Sequence, residues 1–401
     1  MREYLYDITS KEAVAKGAAR YLVGEFKPFD QKYEMFKRPL WDDSVTDLGK
    51  RFYGRWDPQE DRAGYRLLDQ ALKNASYYID MVFGHGMFGG RFGLYAWESK
   101  LWGENIHPKG LKLDVSDPAT MTRNLKQAAL FFGASMVGVC ELDRRWLYSH
   151  HYYPSLSGFK ETVQKVEIPE EYKYAIIMAY EGDYETLRYS PTYPAGAAIG
   201  LGYSQMAMTG GLVAQFIRLL GYKAIPMGND TACSVPLAID AGLGELSRAG
   251  WLITPKYGPR VRLNKIFTDL PLLPDQPVEF GVWDFCNVCG KCAQYCPGQA
   301  ISYGKPTTDI VDVSNREGLY RWPLNAVKCF KFWSVNGTAC VNCIRVCPFN
   351  KPSGWFHDLV RWGIRRLRFM NEVFLWTDDL LGYGKPPDAD HFWRGNLKPH
   401  W

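Results

Sequence analysis

The chain has 401 residues, 46% hydrophobic and 23% charged, a balance that argues for a folded protein of two or three domains and against disorder or a fibre. Its net charge of +5 is a weak excess, with Lys and Arg scattered along the chain, which excludes nucleic acid as an expected partner. The most apolar helical stretch, Met206 to Leu220, is interrupted by Gln215 and Arg218, so no run reaches the roughly 20 residues a membrane span requires, and the chain reads as soluble.

Residues 1–114 are rich in aromatics, Gly and Pro, with short amphipathic pieces such as Tyr65 to Val82, and read as a wrapping region. Aromatics reach 15% of the whole chain, which suits a protein enclosing a large flat cofactor or an apolar substrate and equally suits an aromatic-rich core. Asp117-Pro118 reads as a helix start, followed by Met121, Leu125, Ala129 and Phe132 at helical spacing. Ser135 to Leu142 and Tyr174 to Tyr180 read as buried strands, Ala195 to Leu220 as a long helix ended by Gly221, and Tyr222 to Met227, Trp251 to Thr254 and Arg260 to Phe267 as further strands. Strands alternating with helices predict an α/β core over 115–275. The proline-bearing run from Pro271 to Phe280 marks a boundary, after which 276–354 holds nearly all the cysteines. Trp355 to Phe374 is helical in pattern, and 355–401 is expected to pack back on the body.

Cys286, Cys289, Cys292 and Cys296, followed by Pro297, spell C-x2-C-x2-C-x3-C-P, the bacterial ferredoxin run. A cubane takes three thiolates from one tight loop, and the two-residue gaps let the backbone curl round one cluster face while the fourth cysteine points away. Cys329, Cys340, Cys343 and Cys347, followed by Pro348, repeat the pattern with the first gap widened to ten residues. Because the fourth cysteine of each run ligates the other cluster in two-cluster ferredoxins, Cys286, Cys289, Cys292 and Cys347 are assigned to one [4Fe-4S] cluster, and Cys296, Cys329, Cys340 and Cys343 to the other. Disulfides and zinc ribbons fit less well: a chain this long has no need of staples, and zinc sites do not need the terminal Cys-Pro. Cys140 and Cys233 sit in apolar contexts and read as core residues.

Two adjacent clusters pass single electrons, and a body of this size in front of them predicts a catalytic receiver. No G-x-G-x-x-G opens a helix after a strand and no P-loop is present, so the receiver is not signalled by a nucleotide motif. YPAGAAIGLGYSQMA, the segment from GYKAIPMGNDTACS to VRLNKIFTDLP, and the two cysteine runs in that order resemble the corrinoid-dependent reductive dehalogenases. Phe26 to Asp42 (FKPFDQKYEMFKRPLWD) resembles the same family's N-terminal region, and Asp378 to Gly384 (DDLLGYG) resembles its end.

The resemblance implies a nitroreductase-like α/β (α+β) core that buries cobalamin, followed by a ferredoxin-like domain with two [4Fe-4S] clusters. Carried over residue by residue, it implies Tyr203 as proton donor, Asn229 as its neighbour and Arg262 as the cation that stabilises the tyrosinate, Arg260 being the rival for that place. A phenol has a pKa of about 10, so it gives up a proton near neutrality only with such help. The cobalamin is implied to be base-off, and none of the seven histidines lies in a D-x-H-x-x-G pattern. The glycine-rich stretch Ala241 to Gly250, with Gly242, Gly244, Leu246 and Ser247, is a candidate cofactor-binding segment, although a simple loop explains those glycines equally. Phe36, Trp56 and Trp333 are candidates for an apolar substrate pocket.

The implied reaction removes halide from a small organohalide, a chlorinated alkene or alkane, with electrons passing through an outer and then an inner cluster. Implied partners are a membrane anchor protein and a low-potential electron donor, with a homodimer compatible, and the implied place is the outer face of the cytoplasmic membrane, peripherally held. The start MREYLYDITSKEA carries no export signal, so a mature form or a cytoplasmic relative both fit. Two alternatives stay open. One is an epoxyqueuosine reductase-like enzyme, for which an acidic residue is expected where Asn229 aligns, with Asp230 next to it. The other is an electron-carrier subunit without a corrinoid.

Overall fold

The computed structural model describes residues 8–54, 61–84, 93–98, 110–153, 162–352 and 354–395. Its strands are β1 (Met136–Glu141), β2 (His150–Tyr153), β3 (Thr162–Lys165), β4 (Tyr174–Glu181), β5 (Ala224–Met227), β6 (Glu245–Leu246), β7 (Leu252–Ile253) and β8 (Val261–Thr268). The central sheet has the order β1-β4-β8-β5, and every pairing in it is antiparallel. The core is therefore α+β, and the alternation of strands with helices along the sequence does not translate into parallel crossovers. The reason lies in burial. β4 and β8 are covered on both faces, so they carry near-continuous apolar runs of the kind parallel strands usually show.

The alternation of side chains along β4 divides the core in two. Ile176, Met178 and Tyr180 face a layer formed by Met121, Leu125 and Ala129 of the helix Pro118–Phe131 and by Met206, Val213 and Ile217 of the helix Tyr193–Leu219. Ala175, Ile177 and Ala179 face Leu237 and Ile239 of the helix Ser234–Asp240, together with Ala18 and Tyr21 from the N-terminal region. Local signals set the first of these helices. Asp117 accepts from Ala119 N at 3.0 Å, Pro118 occupies the first turn, and Gly133 at φ +110° follows the end.

The helix Tyr193–Leu219 has 27 residues, apolar nearly all round, and is sheathed by protein. Among the described residues no helix is long and apolar enough to cross a membrane. The helices Leu67–Ser76 and Tyr78–Phe83 lie on it, while Asp240 accepts from Ala18 N at 2.6 Å and ties the N-terminal region to the opposite face.

The cysteine-rich region docks through buried polar contacts. Ser190 Oγ donates to Asn342 Oδ1 at 2.8 Å and accepts from Val341 N at 2.9 Å. Arg248, 5% exposed, donates to the carbonyls of Cys286, Ser302 and Gly304 at 2.8 to 3.1 Å. The helix expected from Trp355 to Phe374 is broken. It forms Trp355–Arg366, a short turn, and then Asn371–Leu380, because the chain folds back so that the Phe374 ring lies on Gly363, where a Cβ would come within 2.6 Å of it.

Candidate active site and cysteine cavities

Tyr203 lies on the inner length of the helix Tyr193–Leu219 and keeps partial access to space. Its oxygen accepts from Asn229 Nδ2 at 3.0 Å. Asn229 sits in the turn that follows β5, a turn over-determined by its neighbours. Tyr148 Oη donates to the Asn229 carbonyl at 3.2 Å, while Asp230 accepts from Gly228 N at 3.0 Å and from Thr231 Oγ1 at 2.8 Å. Thr231 takes φ +68°, an uncommon conformation for a β-branched residue and one held only where surroundings impose it. The consequence is a division of labour: Asp230 is buried with its carboxylate committed to the turn, and Asn229 is exposed with its amide on the phenol.

Arg262, on β8, places its guanidinium 5.7 Å from the Tyr203 ring centre and 5.7 Å from that of Trp251. Arg260 is a different kind of residue. It is buried, pairs with Glu181 at 2.9 Å and donates to the carbonyls of Tyr257 and Lys351. Two neighbours were not foreseen from the sequence. Tyr77 stacks on Tyr203 with centres 5.8 Å apart, and burial pushes its pKa upward; Trp251 lies under Arg262. The signal that could have found Tyr77 is the glycine spacing in IGLGYS. Two glycines inside a helix cost about 1 kcal/mol each, and here a Cβ on Gly200 would sit 2.4 Å from the Tyr77 ring, while one on Gly202 would sit 2.7 Å from the Arg262 side chain.

The eight clustered cysteines surround two cavities. Cys286, Cys289, Cys292 and Cys347 line one, and Cys296, Cys329 and Cys340 line the other; Cys343 borders both. Among the described residues no three His, Cys, Asp or Glu side chains converge on a point where a single ion would sit. Thiols spaced round a void suit a cluster whose corners stand apart. The two remaining cysteines, Cys140 and Cys233, are buried in the core.

At Gly242 and Gly244 the missing Cβ atoms leave room for the chain's own backbone, at 2.5 Å from the Gln276 carbonyl oxygen and 2.1 Å from that of Ile253, so packing alone accounts for both glycines. Leu246 packs on the core, and Ser247 lines the first cysteine cavity. Phe36 and Trp333 come together with ring centres 5.6 Å apart; Phe330 packs on Phe36 at 5.8 Å, Phe52 on Trp333 at 6.1 Å, and Phe52 and Phe330 meet at 5.3 Å. Trp56 lies outside the described residues.

Burial pushes the pKa of Glu34 up and that of Tyr53 up to about 12, yet both residues keep accessible surface, as does Tyr77. Groups crowded by protein and still accessible line a hollow that opens to the surface. Tyr53 feels the charge of Glu34, and Glu34 that of Asp230, so these walls are close to the Asn229 turn.

The profile of the family described as a 4Fe-4S double cluster binding domain matches residues 285–350. The tetrachloroethene reductive dehalogenase of Sulfurospirillum multivorans is 36% identical over 365 residues, covering 85% of this chain and 72% of that protein. That of Dehalobacter restrictus is 37% identical over 333 residues, 74% of this chain and 60% of the relative. A solved reductive dehalogenase, described with a mechanism for B12-dependent dehalogenation, superimposes with a TM-score of 0.71 at 26% identity over 91% of this chain. The chain spans 48% of that solved relative's length.

Proposed function

The chain belongs to the reductive dehalogenases, and on that premise we propose that it replaces the halogen of a small organohalide by hydrogen, consuming two electrons and one proton and releasing halide. The observation that carries this reading is the grouping of Tyr203, Asn229 and Arg262, linked through Trp251 to two cysteine-lined cavities. Cobalamin, held in the hollow near the Asn229 turn, would supply a reduced cobalt able to give the electrons that break the carbon–halogen bond. The [4Fe-4S] clusters, when bound, carry single electrons at low potential. Cys286, Cys289, Cys292 and Cys347 would hold one of them and Cys296, Cys329, Cys340 and Cys343 the other. The second set is the inner one on this reading, because Cys343 shares a packing cluster with Tyr203 and Trp251.

The protein's own part is proton delivery and exclusion of water. Since the Tyr203 oxygen accepts from Asn229, its hydroxyl hydrogen is left free to point into the hollow. The same hydrogen bond and the nearby guanidinium of Arg262 favour the tyrosinate that remains after donation. The aromatic group of Phe36, Trp333, Phe52 and Phe330 supports an apolar substrate, a chlorinated alkene or alkane. Membrane attachment through an anchor protein and supply by a low-potential donor belong to the same proposal. Against the epoxyqueuosine reductase alternative stands the inward commitment of Asp230, which leaves an amide, not a carboxylate, on Tyr203.

Anaerobically matured protein should carry about eight irons, four for each cysteine set, and about one cobalt per chain by metal analysis. Tyr203→Phe should keep both metals and lose roughly 10²-fold or more of its dehalogenation rate, the usual worth of a positioned acid. Iron without any corrinoid uptake would reduce the protein to an electron carrier.

A further inference from the structure

Trp251 stands where three parts of the molecule meet. Its indole Nε1–H donates to Cys343 Sγ at 3.3 Å, its ring carries the Arg262 guanidinium at 5.7 Å, and Arg262 in turn lies 5.7 Å from the Tyr203 ring centre. It also lines both cysteine cavities, so its side chain forms part of the wall between them. The placement is built, not incidental. Ser247 N and Ser247 Oγ donate to the Trp251 carbonyl at 3.0 and 2.9 Å, and Trp251 N donates back to Ser247 Oγ at 3.2 Å, across a tight turn in which Gly250 takes φ +78°.

We propose that Trp251 is a positioning residue that sets the reduction potential of the centre held by Cys296, Cys329, Cys340 and Cys343, and at the same time braces Arg262 toward Tyr203. The inference rests on reading the cysteine sets as cluster ligands. Its physics is that a reduced cluster carries one more negative charge on its sulfurs than the oxidised form, so a donated N–H stabilises the reduced form more and raises the potential. The indole donates to a sulfur of one set only; it lines the other cavity with no hydrogen bond to Cys286, Cys289, Cys292 or Cys347. The two centres are therefore tuned unequally by one side chain, the inner one upward, which favours electron flow inward.

Trp251→Phe keeps an aromatic ring under Arg262 and removes the donor. An EPR-monitored redox titration of the fully matured variant should show one centre shifted to lower potential, by a tenfold change in its reduction equilibrium or about 59 mV for a one-electron couple. The other centre should stay in place. Potentials that do not move, or that move together, would overturn the assignment, since a merely structural role predicts one or the other. If the variant fails to hold its iron, wild-type protein labelled with ¹⁵N at the indole nitrogens answers the question directly. An electron–nuclear double-resonance spectrum of the reduced enzyme should show nitrogen coupling to one cluster, and its absence would sink the proposal. Iron analysis of the wild type separates this from failure of the underlying reading. About eight irons with unmoved potentials dismisses Trp251 alone, whereas missing iron dismisses the clusters.

Discussion

A phenol, an amide and a guanidinium are ordinary side chains, and what makes this group chemical is where each one's competing duty has been removed. Asn229 is free for Tyr203 because Asp230 takes over the hydrogen bonds of the turn. Arg262 is free to face the ring because Arg260, two residues earlier on the same strand, carries the structural load through Glu181 and two carbonyls. The two arginines should therefore fail differently. Arg260→Met leaves buried acceptors unpaired and should lower stability by about 1 to 3 kcal/mol, discounted because Glu181 is partly in water; thermal melts read that loss. Arg262→Met should melt near the wild type and lose rate by roughly 10-fold or more, because only the tyrosinate loses its stabilising charge. Equal melting losses in the two variants would contradict this division.

Helices normally avoid glycine, yet the helix Tyr193–Leu219 spends several glycines at its closest approaches. Gly200 admits the Tyr77 ring and Gly202 admits the stem of Arg262, so the segment just before Tyr203 is a groove that lets one partner stack on the phenol and another reach over it. Gly202→Ala adds a methyl 2.7 Å from Arg262 Cγ, the middle of a flexible chain. The expected result is a gain in helix propensity of about 1 kcal/mol that offsets much of the steric cost, with a displaced guanidinium and a fall in turnover measured beside an almost unchanged melting temperature. A variant as active as the parent would show that the position of Arg262 is not critical. The sheet teaches the opposite lesson about legibility. Strand existence was readable from apolar runs such as YAIIMAY, but strand direction was not, because burial on both faces erases the alternation that distinguishes antiparallel strands.

Across the whole molecule the C-terminal segment closes over the first cysteine cavity with a buried charge knot. Asp378, on the helix Asn371–Leu380, pairs with Lys291 and Lys351, which flank Cys289 and Cys292 on one side and follow Cys347 on the other. All three charged groups are nearly inaccessible; Lys291 also reaches Asp379 at 2.7 Å, so removing the Asp378 charge leaves chiefly Lys351 unpaired in a poor solvent. Asp378→Asn should cost about 3 kcal/mol and should make one cluster labile. Under a mild chelator, iron is then expected to fall from about eight to about four per chain, while the parent keeps its full complement. Loss of all the iron together would mean that the two centres stand or fall as a unit.

Cysteine spacing is information local to a few turns of chain, which is why the two runs and the presence of a ferredoxin-like end could be read before any fold was known. The Tyr203, Asn229 and Arg262 group was legible only by resemblance, since nothing in a helical Tyr, a turn Asn and a strand Arg says that they meet. Trp251 was invisible for the same reason, since its sulfur partner lies 92 residues away, and Tyr77 left only the indirect trace of the glycines in IGLGYS. The glycines at 242 and 244 show why such a stretch is ambiguous: a missing Cβ looks alike in sequence whether backbone or cofactor fills the space. Contacts between distant segments arise from packing two layers on one buried sheet, and that packing, not any local pattern, decided which residues border the hollow.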